Sequence, residues 1–200
     1  MKPILFNTEM VRAILEGRKT VTRRIVKPQP TYSPRDGFSY KGRAYGTDLP
    51  PTVKGAGYNL RCAAPYKVGD VLYVRETWNW YRAIDNKKMF IYRADYGEEH
   101  KKGYWKPSIH MPKAAARIFL KVTNVRVERL QDMTKEDALK EGINPKLCVN
   151  LAHALGKFKT LWNYTINKDQ KESYSWEANP YVWVIEFEVI TKEEALKYEQ

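Results

Sequence analysis

The chain has 200 residues, 43% of them hydrophobic, and a net charge of +12, which together suit one basic globular domain with a sizeable core. No apolar stretch approaches the roughly 20 residues that span a bilayer, and the apolar run near the N-terminus is too short for a signal peptide, so we expect a cytoplasmic protein. Residues 1–129 hold 26 basic and 11 acidic residues, whereas residues 130–200 hold 9 basic and 12 acidic residues. This asymmetry predicts a polyanionic partner such as RNA or a nucleotide, and we favour it over the alternative that the charge serves only solubility.

The first elements are a short strand, a helix and a second strand. Ile4 to Phe6 is an apolar run, and Asn7 or Thr8 can cap a helix that Gly17 ends. One face of this helix carries the apolar residues Met10, Val11, Ile14 and Leu15. The β-branched run from Thr20 to Thr22 favours a strand. Arg18 and Lys19 are therefore predicted to lie in a tight turn between helix and strand.

Residues 28–66 have a different composition, with 6 of the 11 prolines and 5 of the 11 glycines. A segment this long is predicted to be a wrapped or mobile insertion rather than an ordinary connection. Tyrosines are spread along it, among them those at positions 32, 40, 45 and 58. They either stack on bases or, as we favour, anchor the insertion to the rest of the domain.

The later elements include four predicted strands and two helices. The predicted strands are Val71 to Val74, Phe90 to Tyr92, Ala116 to Glu128 and Tyr181 to Val189. In the third of these, the alternation of apolar residues shifts by one near Thr123, as at a β-bulge. The last strand is apolar on both faces, which predicts a central position in a sheet. Helices are predicted from Thr134 to Glu141 and from Leu151 to Ile166. This pattern predicts an α+β fold, with an open or closed barrel and helices packed outside it.

A basic cluster follows the first helix, and threonines alternate with its charges. Its members are Arg18, Lys19, Arg23, Arg24 and Lys27, with Thr20 and Thr22 between them. Such a cluster can bind phosphate or polarise a carbonyl, and a confined lysine of lowered pKa can serve as a base for a nearby hydroxyl. A solvated basic turn without function is the simpler alternative. The residue types leave both interpretations open.

The stretch from Gly17 to Arg24, Gly-Arg-Lys-Thr-Val-Thr-Arg-Arg, followed by the turn and strand at Gly69-Asp70-Val71-Leu72, resembles the ASCH domain of the PUA-like superfamily. Arg75-Glu76-Thr77-Trp78, residues 106–112 and residues 127–132 are similar to motifs of the larger ASCH proteins of bacteriophages and prophages. These motifs recur in order over most of residues 1–143. The insertion at 28–66 departs from the compact ASCH domains. The resemblance implies a PUA-like β-barrel over residues 1–190, taken as one domain, with a helical tail at 191–200.

The same resemblance implies binding of RNA or a nucleoside in a basic cleft, without a cofactor. Small bacterial ASCH members are amidohydrolases that remove the acetyl group from acetylcytidine. Their Lys, Thr and Glu correspond by resemblance to Lys19, Thr22 and Glu141. Lys19 would activate Thr22 or water, and Glu141 would orient the amide or move a proton. We take binding as the first expectation and amidohydrolysis as its alternative. A nuclease, the third alternative, requires a nucleophile or metal set that the sequence does not offer.

Two further segments are candidate ligand contacts. Arg75, Glu76 and Trp78 end a strand, so that Trp78 can stack on a base, Glu76 can accept from an exocyclic amine and Arg75 can bind phosphate. A structural ion pair beside a core tryptophan is the equal alternative. The second segment, between Pro107 and Lys113, has two prolines that suit a stiff lid carrying Ser108, His110 and Lys113.

The sequence does not favour a metal site or a disulfide. His100, His110 and His153 are scattered without acidic or cysteine spacing, which argues against zinc. Cys62 and Cys148 form no CxxC pair and are expected to be reduced, partly buried thiols.

Overall fold

The structure is a computed structural model that describes residues 1–46, 58–97 and 104–199. The strands are β1 (Lys2–Leu5), β2 (Val21–Ile25), β3 (Thr31–Ser33), β4 (Gly37–Tyr40), β5 (Arg43–Ala44), β6 (Val71–Arg75), β7 (Trp78–Arg82), β8 (Lys88–Tyr92), β9 (Phe119–Arg129) and β10 (Tyr181–Ile190). The α-helices are α1 (Thr8–Leu15), α2 (Lys135–Lys140), α3 (Leu151–Thr165), α4 (Lys171–Tyr174) and α5 (Lys192–Leu196). The fold is α+β, as predicted.

The strands form three sheets. Five of them make one sheet in the order β1-β6-β9-β10-β2, in which β1 runs parallel to β6 while β6–β9 and β10–β2 are antiparallel. A three-stranded sheet has the order β3-β4-β5, and β7 and β8 form a separate hairpin. All five residues from Tyr181 to Ile185 are buried, because β10 has a neighbouring strand on each side and covered faces. The predicted central position of this strand is confirmed.

The chain divides into two compact units. The first contains Met1–Gly17, Gly69–Lys121 and Glu188–Gln200, and the second contains Arg18–Val68 and Val122–Phe187. The core of the first unit includes Val71, Trp78, Met111 and Phe119, all at most 4% exposed. In the second unit, Phe158 and Trp162 of α3 pack with apolar residues of β2 and β10.

The N-terminal helix forms as predicted, with one exception on its apolar face. The Asn7 side chain caps α1 by accepting a hydrogen bond from the Met10 amide at 2.8 Å. Val11 and Ile14 are buried, whereas Leu15 is 53% exposed, so the prediction that Leu15 lies on the buried face is wrong. Leu15 is in the last turn of α1, where the helix leaves the core.

The segment 28–66 has more regular structure than the sequence indicated. Its first part forms β3, β4 and β5, in which Phe38 and Tyr40 are buried. The Tyr40 hydroxyl donates to the Lys27 carbonyl at 2.9 Å, and its ring meets Trp183 edge-on at 6.0 Å. Tyr40 is therefore an anchor, as favoured over base stacking. Residues 47–57 lie outside the described part of the chain.

The remaining local predictions hold in part. Buried positions along β9 change phase between Val122 and Val125, where the sequence predicted a bulge. The thiols of Cys62 and Cys148 are free, but Cys62 is exposed rather than partly buried. The expected C-terminal helical segment contains α5. Within the described residues, no helix has the length and apolar character needed to cross a membrane.

Candidate functional site

The segment Gly17 to Thr20 is held against the C-terminal end of α2. Gly17 ends α1 with a φ of +73°, a conformation that favours glycine. The Arg18 guanidinium donates to the Gly142 carbonyl, and the Thr20 amide donates to the Lys140 carbonyl at 3.0 Å. Lys19 and Glu141 form an antiparallel β-bridge. These contacts hold the predicted turn at the C-terminal end of α2, about 120 residues further along the chain.

Lys19 is buried, and its ammonium group has three acceptors. Nζ donates to the Val21 carbonyl at 2.8 Å, to the Glu141 carbonyl at 2.9 Å and to Glu141 Oε2 at 2.7 Å. Burial lowers the pKa of Lys19, although the Glu141 carboxylate opposes that shift. The predicted pairing of Lys19 with Glu141 is present, and Glu141 is the residue that caps the C-terminus of α2, as the sequence indicated.

Arg23 extends the network to two more carboxylates. Its Nη2 lies 2.7 Å from Glu128 Oε1 and 3.2 Å from Asp137 Oδ2, and its Nη1 lies 3.2 Å from Glu141 Oε1. Burial alone would lower the pKa of Arg23, but the carboxylates of Glu141, Glu128 and Asp137 outweigh it and raise the pKa. Because the Arg23 guanidinium already binds three carboxylates, we do not expect it to bind a phosphate.

Glu128 and Asp137 were not among the predicted site residues. The sequence pattern indicated only local roles, for Glu128 within a strand and for Asp137 in the first turn of a capped helix. Asp137 does make the cap, because the Thr134 amide donates to its Oδ2 at 3.1 Å. Burial would raise its pKa, but the Thr134 amide and Arg23 outweigh this effect and lower it. No spacing rule in the sequence connects either carboxylate to Arg23.

Thr22 does not belong to this network. Successive side chains of a strand lie on opposite faces, so Thr22 and Arg24 share the face of β2 that Arg23 does not use. Thr22 is buried, at 3% exposed, and lies opposite Ile185 of β10. The structure brings Lys19, Glu141 and Arg23 together, and the catalytic role expected of Thr22 stays a prediction.

A cavity of about 270 Å³ in the second unit has Tyr66, a neighbour of Arg24, in its lining. Its described lining residues are Arg61, Cys62, Tyr66, Lys67, Val68 and Val125. Burial lowers the pKa of Arg24, and Tyr66 is close enough to oppose that shift. Lys67 and Val68 are exposed, so the lining reaches the surface of the second unit. The lining combines one aromatic ring with two cationic side chains, a composition that can hold a base and a phosphate.

In the first unit, Glu76 and Trp78 are interior residues. Glu76 is 1% exposed, and Arg117 contacts both of its oxygens, at 2.9 and 3.1 Å. Burial raises the pKa of Glu76, although Arg117 opposes the shift. Trp78 is 4% exposed in the apolar core. The burial of both side chains favours the alternative of an ion pair beside a core tryptophan, and the base-framing role of the pair stays a prediction.

The partner of Glu76 also differs from the expected Arg75. Arg117 binds Glu76 and also Asp95, at 2.7 Å, and stacks over the Tyr92 ring at 4.0 Å. Arg75 instead donates to the Ile109 carbonyl. Neighbouring residues of a strand face opposite ways, so adjacent charges such as those of positions 75 and 76 rarely pair.

The segment expected to be a lid is a pair of 3₁₀ turns at Ser108–His110 and Lys113–Ala115. Met111, between them, is 1% exposed and fixes the segment to the core. His110 and Lys113 are exposed, and Ser108 is half-buried. Their predicted ligand contacts remain predictions. Within residues 1–46, 58–97 and 104–199 no three His, Cys, Asp or Glu residues are grouped to hold a metal ion. Residues 98–103, which include His100, lie outside the described part.

Comparison with known proteins gives one structural likeness. Neither a protein-family model nor a curated protein sequence matches this chain. The chain is similar to the crystal structure of protein EF3133 from Enterococcus faecalis V583, which carries the family description DUF984. The TM-score is 0.42 and the identity 11%, over 96% of this chain and 82% of that one.

Proposed function

We propose that this protein binds RNA or a nucleoside, and that the nucleoside occupies the cavity lined by Tyr66. The cavity carries the proposal, because its lining joins Tyr66 to the cationic side chains of Arg61 and Lys67. An aromatic ring can stack on a base, and the two cations can neutralise a phosphate. The resemblance of residues 17–24 to the ASCH motif supports the same class of ligand. It also leads us to propose that the five-stranded sheet is a PUA-like barrel.

The buried ionic network supports a structural role for the other residues of the motif. Lys19 and Arg23 already bind carboxylates and are almost fully buried. Breaking such pairs to contact a ligand would leave buried charges without partners, which is costly. The network therefore holds β2 in place, and Arg24, the residue after Arg23, interacts electrostatically with Tyr66 of the cavity lining and with Glu141 of the network.

Equilibrium binding to a panel of unmodified and acylated nucleosides and short oligoribonucleotides tests the proposal. Tyr66→Ala should weaken binding about ten-fold or more, because stacking of one base contributes about 1–3 kcal/mol. Tyr198→Ala is the matched control, since Tyr198 lies in the first unit and is 52% exposed. A protein that binds no member of the panel would refute the proposal. Equal affinities of the two tyrosine variants would move the site away from the cavity.

The alternative function is hydrolysis of acylated cytidine. The observation in its favour is Lys19, whose pKa burial lowers and whose Nζ lies 2.7 Å from Glu141. In this reaction water adds to the amide carbonyl, the C–N bond breaks and the amine leaves with a proton, so that acetate and cytidine form. The three hydrogen bonds of Lys19 leave it no free position for such a proton transfer, and so the geometry favours binding over turnover.

Mass spectrometry after incubation with N4-acetylcytidine distinguishes the two functions. We expect binding without release of acetate. Release of acetate that is lost in Lys19→Met, while the variant keeps the wild-type circular dichroism spectrum, would establish the alternative instead. Release that persists in Lys19→Met would point to a contaminating hydrolase, and repeat purification would remove it.

A further inference from the structure

We propose that the β7–β8 hairpin carries a second nucleic-acid surface, which binds single-stranded RNA through Trp80, Lys88 and Lys106. This inference rests on the proposed function for the class of partner, but it assigns the contact to residues outside the stretch from Gly17 to Arg24. It concerns only the first unit.

The register of the hairpin gathers aromatic and cationic side chains on one face. Directly paired residues of an antiparallel hairpin lie on the same face, and alternate residues along a strand do so as well. The pairs on this face are Trp78 with Tyr92, Trp80 with Phe90, and Arg82 with Lys88. Lys106 joins them because it forms an antiparallel bridge with Trp78. The face therefore has four aromatic rings and three cations.

The face is buried at one end and open at the other. Trp78 and Tyr92 pack in the core of the first unit, where the Tyr92 hydroxyl donates to the Ala115 carbonyl at 2.7 Å. Trp80 and Phe90, one pair further along, are half-buried, and Arg82 and Lys88 at the tip are exposed. The buried end fixes the hairpin, so the Trp80 ring is presented to a ligand from a rigid base.

Two ammonium groups are held beside the half-buried Trp80 ring. Lys88 Nζ lies 4.7 Å from the Trp80 ring centre, and Lys106 Nζ lies 5.4 Å from it. These are cation–π distances, and each contact orders a flexible lysine before any ligand arrives. Among the described residues, no carboxylate pairs with either ammonium group. The nearby acid, Asp85, pairs with Lys87 at 2.9 Å, and Arg82 hydrogen-bonds to Asn86.

These features match a single strand better than a duplex or a protein. A half-buried indole can stack only on a base that is not already stacked in a helix, and the lysines beside it can neutralise the adjoining phosphates. Lysine is a point charge that recognises the backbone and not a base edge. We therefore expect binding that depends on salt and on single-strandedness, with little preference among sequences.

Fluorescence anisotropy with a labelled oligouridine of about 12 nucleotides tests the surface between about 50 and 200 mM salt. Trp80→Leu keeps an apolar side chain and removes the ring, and should weaken binding about ten-fold. Lys88→Ala/Lys106→Ala should reduce the slope of log K against log salt by about 1.4, since each phosphate contact contributes about 0.7. Lys87→Ala is the matched control, because Lys87 is the exposed neighbour that pairs with Asp85.

The outcomes separate this surface from the nucleoside site. Loss of oligouridine binding in Trp80→Leu, with nucleoside binding unchanged, supports the hairpin. Oligouridine binding that is equal in wild type, Trp80→Leu and the double variant overturns it while leaving the proposed function standing. A protein that binds no nucleoside and no oligouridine overturns both. Binding of an acidic peptide or of anionic vesicles with the same dependence on Trp80, and not of oligouridine, overturns the assignment of the partner.

Discussion

Replacing Glu141 with glutamine removes the carboxylate closest to Lys19. The two charges lie 2.7 Å apart, with Lys19 1% and Glu141 5% exposed. Removing one partner of a buried ion pair commonly costs about 3–5 kcal/mol, because the remaining charge is left uncompensated. Arg23 keeps Glu128 and Asp137, so the loss falls on Lys19. At a helix C-terminus alone, replacing a glutamate with glutamine would leave stability unchanged or slightly improved. The burial of Glu141 between Lys19 and Arg23 reverses that sign.

The cost has an upper limit, since Lys19 can lose its proton instead. Deprotonating an ordinary lysine, with a pKa of 10.5, costs about 5 kcal/mol at pH 7. Lys19 also keeps two carbonyl acceptors in the variant, so we expect Glu141→Gln to reduce the free energy of unfolding by about 3 kcal/mol at pH 7. The lowered pKa of Lys19 means that the unfolded chain binds more protons between the folded pKa and 10.5, so stability rises with pH in that window. Loss of Glu141 widens the window, and the deficit should shrink towards pH 10.

Urea unfolding at pH 7 and near pH 10, followed by tryptophan fluorescence, measures both effects. Glu177→Gln is the control, since Glu177 pairs with Lys159 at an exposed position and its loss should hardly move the midpoint. The double variant Lys19→Met/Glu141→Gln should recover part of the loss, because it leaves no buried lysine charge without its partner. A single variant within about 0.5 kcal/mol of wild type at pH 7 would refute this account of the network.

Three smaller predictions use the same unfolding assay. Arg117→Ala should reduce the free energy of unfolding by about 2 kcal/mol at pH 8, where it leaves the buried Glu76 carboxylate without Arg117. The reduction should be smaller at pH 5, because the pKa of Glu76 is raised and the protonated form, whose stability is lost as pH rises, does not need the cation. An equal cost at both pH values would contradict this prediction. Trp162→Ala should cost about 3–5 kcal/mol by opening a cavity beside α3, and the control Leu147→Ala, at a 64% exposed position, should cost little. Gly17→Ala should cost about 1 kcal/mol, since φ is +73° although no atom lies within 4 Å of the added Cβ; a neutral result would mean that the turn relaxes.

Features set by neighbouring residues could be predicted from the sequence. Asn7 and Thr134 are caps because a short polar side chain before an apolar helical pattern meets an unpaired amide three residues later. The central position of β10 followed from its two apolar faces. Glu141 was expected at the end of a helix facing Lys19, and this placement depended on the family resemblance as well as on the helix pattern.

Features set by distant residues could not be predicted in the same way. Nothing in the local sequence connects Arg23 with Glu128, which is 105 residues away. The hairpin of β7 and β8 was missed because Trp78 was assigned to the end of a strand, although Trp78, Trp80 and Arg82 alternate on one face. The insertion was expected to be wrapped or mobile because its prolines and glycines suggested a long loop, and its small sheet, in which Phe38 and Tyr40 are buried, was not predicted. Burial of these aromatic residues outweighs the local preference of their neighbours.

The ionic network has a consequence for synthesis on the ribosome. Lys19 and Arg23 leave the ribosome long before residues 128–141 exist, and at about 5–20 residues per second the interval lasts roughly 6–24 s. During that interval β2 also lacks β10, its partner in the sheet, which is still further along the chain. The nascent N-terminal segment therefore presents a cluster of uncompensated positive charges close to ribosomal RNA. To fold, the N-terminal segment must therefore leave the ribosomal RNA, in addition to closing a long loop with the later residues.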